Sequence, residues 1–443
     1  MRRIGSTLAA LSFGAMALAQ ASLLQAGPMV GYVEMTEAAI WVQTKRPAKV
    51  QVIAIFPDNR TLASGTVSTT EEGDRIATIR LTGLPFDTAV RYMVLINGED
   101  ISVDRPLTFR TQPHWRWTTG QNTPEFTFAF GSCAYFNDPP FDRPGTPYGG
   151  PTDIFRTIAA KRPDFMLWLG DNDYYREPDW LTEAAMRYRF AKGRSHPDLQ
   201  PLLSSVPSYA IWDDHDFGPN DSDRSFRLKE QALQIFRDYW PAVQYGTADT
   251  RGVFQRFEWL DCEFFMLDDR FHRSPNNAPE NADKVMLGKA QTQWLKDALL
   301  NSNASFKFVV NGGQMINDNN FECFSKFPGE RDDLFQFIGA NRIEGVVFLS
   351  GDRHTTELLK TTGWAIPYPL YEYTSSPLTS GVPAQATGDP LGVPGTFVKA
   401  RNFGMIRVSG PRGKRIATLW AMDAAGNKLW EQTIRQEELR APR

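Results

Sequence analysis

Two patterns of hydrophobic and polar positions divide the chain near residue 112. Between residues 27 and 112, apolar and polar positions alternate in short runs such as KVQVIAIF and RIATIRLTGL, separated by turn residues such as Asn97-Gly98. Alternation with period two, repeated about every ten residues, is typical of strands that bury one face. The pattern predicts an immunoglobulin-like β-sandwich over 27–112.

After a polar linker over 113–124, the pattern changes. Short apolar runs alternate with helical stretches, which is typical of a domain with βαβ layering, predicted here over 125–443. Helices are predicted over 153–162, 178–191, 224–239 and 289–300. Strands are predicted over 126–132, 164–169, 208–212, 306–311, 345–351, 402–408 and 416–422, with another starting at Cys262 and an edge segment over 371–380.

Four of the apolar runs end in residues that can bind metal ions. FTFAFGS leads into Cys133, DFMLWL into Gly-Asp171, SYAIW into Asp213-Asp214-His215, and GVVFLSG into Asp352. Ligands of open α/β sheets are usually bound beyond the C-terminal ends of the strands. Each acid alone could equally cap a helix or turn. Together the runs predict one site at a single sheet edge, with ligands for two metal ions: Cys133, Asp171, Tyr174, Asp214, Asp352 and His354.

The charge balance, the N-terminal pattern and the cysteine count limit the partners and the location that the protein could have. The 443 residues carry 48 Lys+Arg against 51 Asp+Glu and contain no basic run, so nucleic acid is not an expected partner. Residues 1–19 have a positive start, an apolar stretch and the sequence Ala17-Leu18-Ala19, as in a secretory leader. The apolar stretch is too short for a membrane anchor, so a secreted or periplasmic protein is predicted. Cys262 and Cys323 could form a disulfide, but free thiols are favoured.

The ordered motifs FGSC, LGDNDYY, WDDHD, LDDR and SGDRH resemble those of the PhoD-type alkaline phosphatases, a branch of the calcineurin-like metallophosphoesterases. The resemblance implies a four-layer α/β/β/α catalytic domain behind a fibronectin-like N-terminal domain. It also implies a cofactor of Fe(III) with Ca²⁺, other divalent metals being possible. Cys133, Asp171 and Tyr174 would hold the iron, with Asp171 bridging, and Asp352 and His354 would complete the set. Asp214 is preferred to Asp213 because it occupies the position of a ligand Asn in the wider superfamily.

Four further residues are candidates for catalysis. His215, beside Asp214, could donate a proton or hydrogen bond to the phosphate or leaving oxygen, or could be a core histidine. Arg270 and Arg353 could stabilise phosphoryl charge, since guanidinium matches phosphate oxygens, or could pair with neighbouring acids. Asn220 is expected to face the phosphate.

The sequence therefore predicts a secreted hydrolase that cleaves phosphate mono- or diesters by attack of a metal-bound hydroxide. A strict phosphodiesterase or a phospholipase-D-like hydrolase is one alternative. A protein of another class, which binds a surface or carbohydrate and has a structural metal site, is the other. Loss of hydrolysis on chelation would separate the enzymes from the binding protein.

Overall fold

The computed structural model describes residues 23–118, 123–318 and 322–441, so the predicted leader over 1–19 lies outside the described residues. Within the described part, one compact unit contains the chain up to His114 together with Arg194–Ser208. The other contains Trp115–Gly193 and the chain from Tyr209 onward. None of the helices described there is long and apolar enough to cross a membrane.

The first unit is a β-sandwich. One sheet has the order β1-β2-β6 and the other the order β4-β3-β7-β8, with β5 added to β3 and β9 to β7. Alternate residues of β3 and β7 are buried, and they share one core with residues of the other sheet such as Ile40 and Ile79. The all-β prediction for this region is therefore confirmed. Its strands are β1 (Leu24–Val33), β2 (Glu37–Thr44), β3 (Lys49–Ile55), β4 (Thr61–Ala63), β5 (Val67–Ser68), β6 (Ile76–Thr82), β7 (Ala89–Ile96), β8 (Glu99–Asp100) and β9 (Thr108–Arg110).

A later segment of the chain also belongs to this unit. Arg194–Ser208 carries the short helix Gln200–Leu203. The side chain of Gln200 accepts a hydrogen bond from the Gly27 backbone N–H at 3.0 Å, and the Tyr92 hydroxyl donates to the Ser204 carbonyl at 2.8 Å. These contacts attach a segment that lies far along the sequence to the strands of the sandwich.

The second unit contains two six-stranded sheets. The first has the order β12-β11-β10-β19-β20-β21, and the second β13-β14-β15-β16-β18-β17. The strands are β10 (Phe126–Gly131), β11 (Phe165–Leu169), β12 (Ser208–Ile211), β13 (Gln255–Trp259), β14 (Cys262–Met266), β15 (Phe306–Val310), β16 (Val346–Ser350), β17 (Glu357–Thr361), β18 (Leu370–Thr374), β19 (Asn402–Ser409), β20 (Ile416–Asp423) and β21 (Lys428–Arg435). The helices are α1 (Trp115–Thr118), α2 (Ile154–Lys161), α3 (Glu183–Arg194), α4 (Asp214–Phe217), α5 (Lys229–Tyr239), α6 (Lys289–Asn301) and α7 (Pro328–Ala340).

Aromatic side chains pack the two sheets face to face. The ring of Phe128 in β10 lies 5.3 Å from that of Phe264 in β14 and 5.4 Å from that of Phe308 in β15, both edge-on. All three rings are fully buried. Large aromatic groups dominate the energetics of such a core, so the space between the sheets is a principal core of this unit.

Helices cover the outer faces of both sheets. Trp168 of β11 contacts Phe155 of α2, with ring centroids 6.0 Å apart. Phe348 of β16 contacts Phe335 of α7 at 5.5 Å. The layers thus run helix, sheet, sheet, helix, and the predicted four-layer α/β/β/α fold is confirmed.

Most predicted elements agree with the structure to within one or two residues, but three differ. The helix predicted over 178–191 begins only at Glu183, after a 3₁₀ turn over Asp179–Leu181. The helix predicted over 224–239 begins at Lys229. The segment 371–380 was wrongly predicted as an edge: β18 is an interior strand, because β17 pairs antiparallel on its outer side.

Candidate metal centre

The proposed ligands follow four strands of the second unit. Cys133 lies two residues beyond β10, Asp171 two beyond β11, and Asp352 two beyond β16. Asp214 opens helix α4, three residues beyond β12. Strands β10, β11 and β12 are neighbours in one sheet, whereas β16 belongs to the other. The four strand ends therefore meet at a common site formed by both sheets, so the prediction that the ligands share a single sheet edge is wrong.

The first group of donors is centred on Asp171. Its Oδ2 lies 3.5 Å from the Cys133 Sγ and 3.0 Å from the Tyr174 hydroxyl. The same hydroxyl lies 3.1 Å from His354 Nε2. Donor atoms of Cys133, Asp171 and His354 all lie within 4.8 Å of one another. A thiol, a phenol, a carboxyl and an imidazole thus meet at one point.

Two more groups adjoin the first. Donor atoms of Asp171, Asp214 and His215 lie within 4.8 Å of one another, and so do those of Asp213, Asp214 and Asp352. Asp171 is common to the first and second groups, and Asp214 to the second and third. The structure therefore brings together all six residues that the sequence proposed as metal ligands.

The backbone at the site is unusual. Cys133, Asp171, Asp352 and His354 all have positive φ angles, of 62°, 53°, 64° and 54°. Such angles cost roughly 1–3 kcal/mol each for residues other than glycine, and they cluster at functional sites. Gly170 (φ 91°) brings β11 close to Asp213, since a Cβ there would lie 2.6 Å from the Asp213 Cβ. The strained turns aim the donors at one another.

The electrostatics of the first group favour its protonated forms. Burial, followed by repulsion from Asp214 and Cys133, raises the pKa of Asp171 well above its usual range. Burial and then Asp171 likewise raise the pKa of Tyr174, and burial raises the pKa of Cys133 to about 12. These groups can be jointly anionic only if a cation neutralises them.

The second and third groups contain buried polar atoms that make no hydrogen bond to any described residue. Among the described residues, Asp213 Oδ2, Asp214 Oδ1 and His215 Nδ1 are buried and make no hydrogen bond. Buried polar atoms are normally satisfied, so such orphans call for a specific explanation. Anionic sulfur and oxygen donors around a shared carboxylate suit metal ions of high charge. The residues present therefore fit a metal centre.

Asp213 and Asp214 differ in their surroundings. Asp213 Oδ1 accepts a hydrogen bond from Arg270 Nε at 2.6 Å. Asp214 Oδ2 accepts one from the Asp221 backbone N–H at 2.7 Å. Although burial opposes ionisation of Asp214, His215 and Arg270 lower its pKa below the usual range. Asp214 is thus held as a carboxylate beside Asp171, while Asp213 already has a cationic partner.

His215 lies within the site. Its ring packs on Tyr174 with centroids 4.1 Å apart, and its backbone N–H donates to Asp171 Oδ1 at 3.2 Å. Burial lowers the pKa of the imidazole, and Asp214 partly opposes this shift. Since the ring is partly exposed and Nδ1 makes no hydrogen bond within the described chain, His215 does not resemble a satisfied core histidine.

The other catalytic candidates occupy different environments. Arg270 is fully buried, and its ion pairs with Asp213 and Glu322 (2.9 Å) correspond to the acid-pairing alternative. Arg353 is partly exposed next to Asp352, and Asn220 is exposed next to Asp221. Arg353 and Asn220 are therefore accessible to solvent. Arg270 is not, and it forms ion pairs with buried acids.

Sequence reasoning missed several residues that contact the ligands, Ser376 and Tyr148 among them. Ser376 Oγ lies 3.1 Å from Cys133 Sγ and accepts a hydrogen bond from the His354 backbone N–H at 2.9 Å. Tyr148 places its hydroxyl 3.1 Å from His354 Nδ1. Ser376 lies two residues beyond β18, so the strand-end rule that found the ligands could have pointed to it. Tyr148 belongs to a loop rich in proline and glycine over 137–151, where no local pattern singles it out.

The stability of the metal-free protein is expected to depend on pH through Asp352. Burial, then repulsion from Asp214 and Glu322, raises the pKa of Asp352 to about 6, whereas an unfolded Asp titrates near 3.9. Because the folded state binds this proton more tightly, Asp352 should lower stability progressively as pH rises from about 4 to about 6. The thermal midpoint of chelator-treated Asp352→Asn should therefore fall less over that window than that of the wild type.

The control for this measurement is Asp283→Asn, whose side chain is 86% exposed. Its thermal midpoint should follow that of the wild type at every pH. Equal pH dependence of Asp352→Asn and wild type would contradict the assignment of a partly buried carboxyl with a raised pKa at residue 352.

Two known families and one curated relative match parts of this chain. Residues 128–401 match the family described as PhoD-like phosphatase, and residues 21–113 match a domain of unknown function, DUF7800. Alkaline phosphatase D of Bacillus subtilis (strain 168) is 23% identical over 286 residues, which cover 54% of this chain and 47% of that protein. The chain thus matches just under half the length of this curated relative.

Two solved structures share the fold. A structure of PhoD superposes with a TM-score of 0.73 at 17% identity, covering 92% of each chain. Purple acid phosphatase PPD1 from yellow lupin (Lupinus luteus) seeds gives a TM-score of 0.66 at 12% identity, covering 92% of this chain and 74% of that one. At such identities the likeness concerns the fold alone.

Proposed function

The chain belongs to the PhoD-like phosphatase family, and from this premise we propose that it is a metal-dependent phosphoesterase. The observation that carries the proposal is the set of three overlapping donor groups at the strand ends, joined through Asp171 and Asp214. The partner is a phosphate ester, and either monoesters or diesters suit the site.

The chemistry of the donor groups indicates how the ligand residues would divide between two metal ions. Cys133, Tyr174 and Asp171 offer anionic thiolate, phenolate and carboxylate donors that suit a trivalent ion such as Fe(III), and His354 adds an imidazole. Asp214 and Asp352, again with Asp171, offer only oxygen, which suits Ca²⁺ or a similar hard cation. When bound, the ions would acidify a water molecule for attack on phosphorus and neutralise phosphoryl oxygens.

The protein's own residues would orient the ester. The stacking of His215 on Tyr174 and its backbone bond to Asp171 fix the imidazole at the edge of the cluster. Burial lowers the pKa of His215, so the neutral ring would donate a hydrogen bond to a phosphoryl or leaving oxygen. Arg353 and Asn220 would approach the phosphate from the solvent side, and Arg270 would offset the charge of Asp213.

Export is part of the proposal. The pattern of residues 1–19 supports a secretory leader, and a secreted or periplasmic enzyme would meet phosphate esters outside the cytoplasm. Expression of the full chain followed by N-terminal sequencing of the mature protein would test this point. A mature protein that still begins at Met1 would contradict it.

The assay that tests the function uses two esters. Purified protein should hydrolyse p-nitrophenyl phosphate, its bis-ester, or both; chelation should abolish the hydrolysis, and returning the metals should restore it. Hydrolysis of the bis-ester alone would indicate a strict phosphodiesterase. A protein that retains its metals and hydrolyses neither ester would favour the binding-protein alternative.

The identity of the iron can be tested by its colour. A Tyr174 phenolate bound to Fe(III) should give a visible charge-transfer band, and Tyr174→Phe should remove it. Tyr135→Phe is the matched control, since its ring lies 5.2 Å from that of Tyr174 but its hydroxyl bonds to Asp142; this variant should keep the band. A colourless, fully active enzyme that contains only zinc would overturn the iron assignment.

A further inference from the structure

Tyr148 is exposed to solvent and yet reaches a proposed ligand. Its side chain is 44% exposed, while its hydroxyl lies 3.1 Å from His354 Nδ1. It belongs to the loop over 137–151, outside the motifs that define the metal centre. Its ring stands edge-on to Tyr135, with centroids 5.0 Å apart. The residue therefore connects the metal cluster with the solvent.

The hydrogen bonds of His354 determine the direction of this contact. Nδ1 lies 2.7 Å from the Gly381 carbonyl, which can only accept, so Nδ1 carries the proton. Nε2 is then free of its proton and faces the Tyr174 hydroxyl inside the cluster. Because Nδ1 is a donor, the Tyr148 oxygen accepts from it. The hydroxyl proton of Tyr148 is thus available to another acceptor.

No protein group takes up that proton among the described residues. The contact with His354 is the only hydrogen bond that the Tyr148 hydroxyl makes there. A donor at the solvent edge of a cationic centre matches the oxygens of a bound anion.

The position of Tyr148 is fixed by its neighbours. The Gly150 N–H donates to the Thr379 carbonyl at 2.7 Å, and Arg401 Nη2 lies 3.5 Å from the Tyr148 carbonyl. The ring lies against Gly381, where a Cβ would come within 2.6 Å of the Tyr148 Cε2. A side chain held in this way loses little freedom when it binds a ligand.

We propose that Tyr148 is a substrate-contacting residue, whose hydroxyl donates a hydrogen bond to a non-bridging oxygen of the phosphate ester and whose ring forms one wall for the leaving group. This inference rests on the proposed phosphoesterase function. It adds an uncharged hydrogen-bond donor, from the loop over 137–151, to the groups that would contact the phosphate.

Tyr148→Phe tests the inference, because it keeps the ring and removes the hydroxyl. A hydrogen bond to a charged oxygen is expected to contribute a factor of roughly 10 to 100. We therefore expect kcat/KM for p-nitrophenyl phosphate to fall by about that factor, and the inhibition constant of inorganic phosphate to rise. Metal content and the visible band should be unchanged.

The matched control is Tyr188→Phe. Tyr188 is similarly exposed, at 41%, but its hydroxyl bonds to Asp138 Oδ2 at 3.1 Å. Its kinetics and phosphate inhibition should equal those of the wild type. Wild-type values of both quantities in Tyr148→Phe would overturn the proposal. Loss of metal or of the band in Tyr148→Phe would overturn it too, since Tyr148 would then act only by positioning His354.

Calorimetric binding of inorganic phosphate separates this inference from the proposed function. If the metal-loaded wild type hydrolyses neither ester, the proposed function has failed, but the phosphate contact is still measurable. Weaker binding by Tyr148→Phe than by wild type and Tyr188→Phe would support the contact. Equal binding by all three proteins, or no binding by any, would overturn it.

Discussion

Asp171→Ala is expected to lose both bound metals and all measurable turnover. Asp171 is common to two donor groups, and its two oxygens contact different partners: Oδ2 the Cys133 thiol and the Tyr174 hydroxyl, Oδ1 the His215 backbone N–H. A residue that bridges two ions cannot be replaced by the remaining ligands of either. Elemental analysis and p-nitrophenyl phosphate hydrolysis of the same preparation measure the two losses together.

His215→Ala should behave differently. If the imidazole contacts the phosphate and does not hold a metal, the variant should keep its metals while kcat falls by roughly 10²–10⁴-fold. His272→Ala is the control, because His272 bonds to the Arg251 carbonyl, away from the cluster; it should retain both metal and turnover. Loss of metal from His215→Ala would make His215 a ligand, since its donor atom also lies within reach of Asp171 and Asp214.

Cys133→Ser should lose iron and most turnover without unfolding. The substitution replaces a soft, anionic sulfur donor with a neutral hydroxyl, which binds iron poorly. The fold should survive because serine is nearly the same shape. Ser376 Oγ lies 3.1 Å and Ser132 Oγ 3.3 Å from the sulfur, and both can bond to the new hydroxyl. Iron content and turnover of this variant measure the two losses, and circular dichroism shows whether the fold is kept.

The other two cysteines provide the control. Cys262 and Cys323 are buried and form no disulfide bond within the described chain, as the sequence favoured. Cys262 lies in β14, within the second sheet and outside the donor groups. Cys262→Ala should therefore cost some stability through lost packing but retain iron and turnover. Wild-type iron and activity in Cys133→Ser would contradict the ligand role of Cys133 and remove the reason for preferring iron.

The strands and helices were predictable because their signals are local, whereas the four-layer arrangement came from the family resemblance. Apolar runs of five or six residues, such as those that became β11 and β16, are long enough to specify buried strands. The residues that follow the neighbouring strands β10 and β11 are then placed at the same sheet edge, so Cys133 and Asp171 could be predicted as neighbours. Asp352 follows β16 of the other sheet, and its closeness to them depends on how the two sheets pack.

Other features depend on tertiary structure, which no short pattern records. The interior position of β18 follows from its pairing with β17, a strand with the mixed sequence ELLKT. The burial of Arg270 depends on acids that are distant in sequence, Asp213 and Glu322. Tyr148 reaches His354 from more than two hundred residues away. Each of these three features depends on contacts between separate parts of the chain, so the structure was needed to find it.

Metal dependence is tested by elemental analysis of purified full-length protein, with hydrolysis of p-nitrophenyl phosphate measured on the same sample. We expect iron together with calcium, and activity that disappears when these metals are removed and returns when they are restored. An active protein that contains no metal, or contains only zinc at full activity, would contradict this expectation.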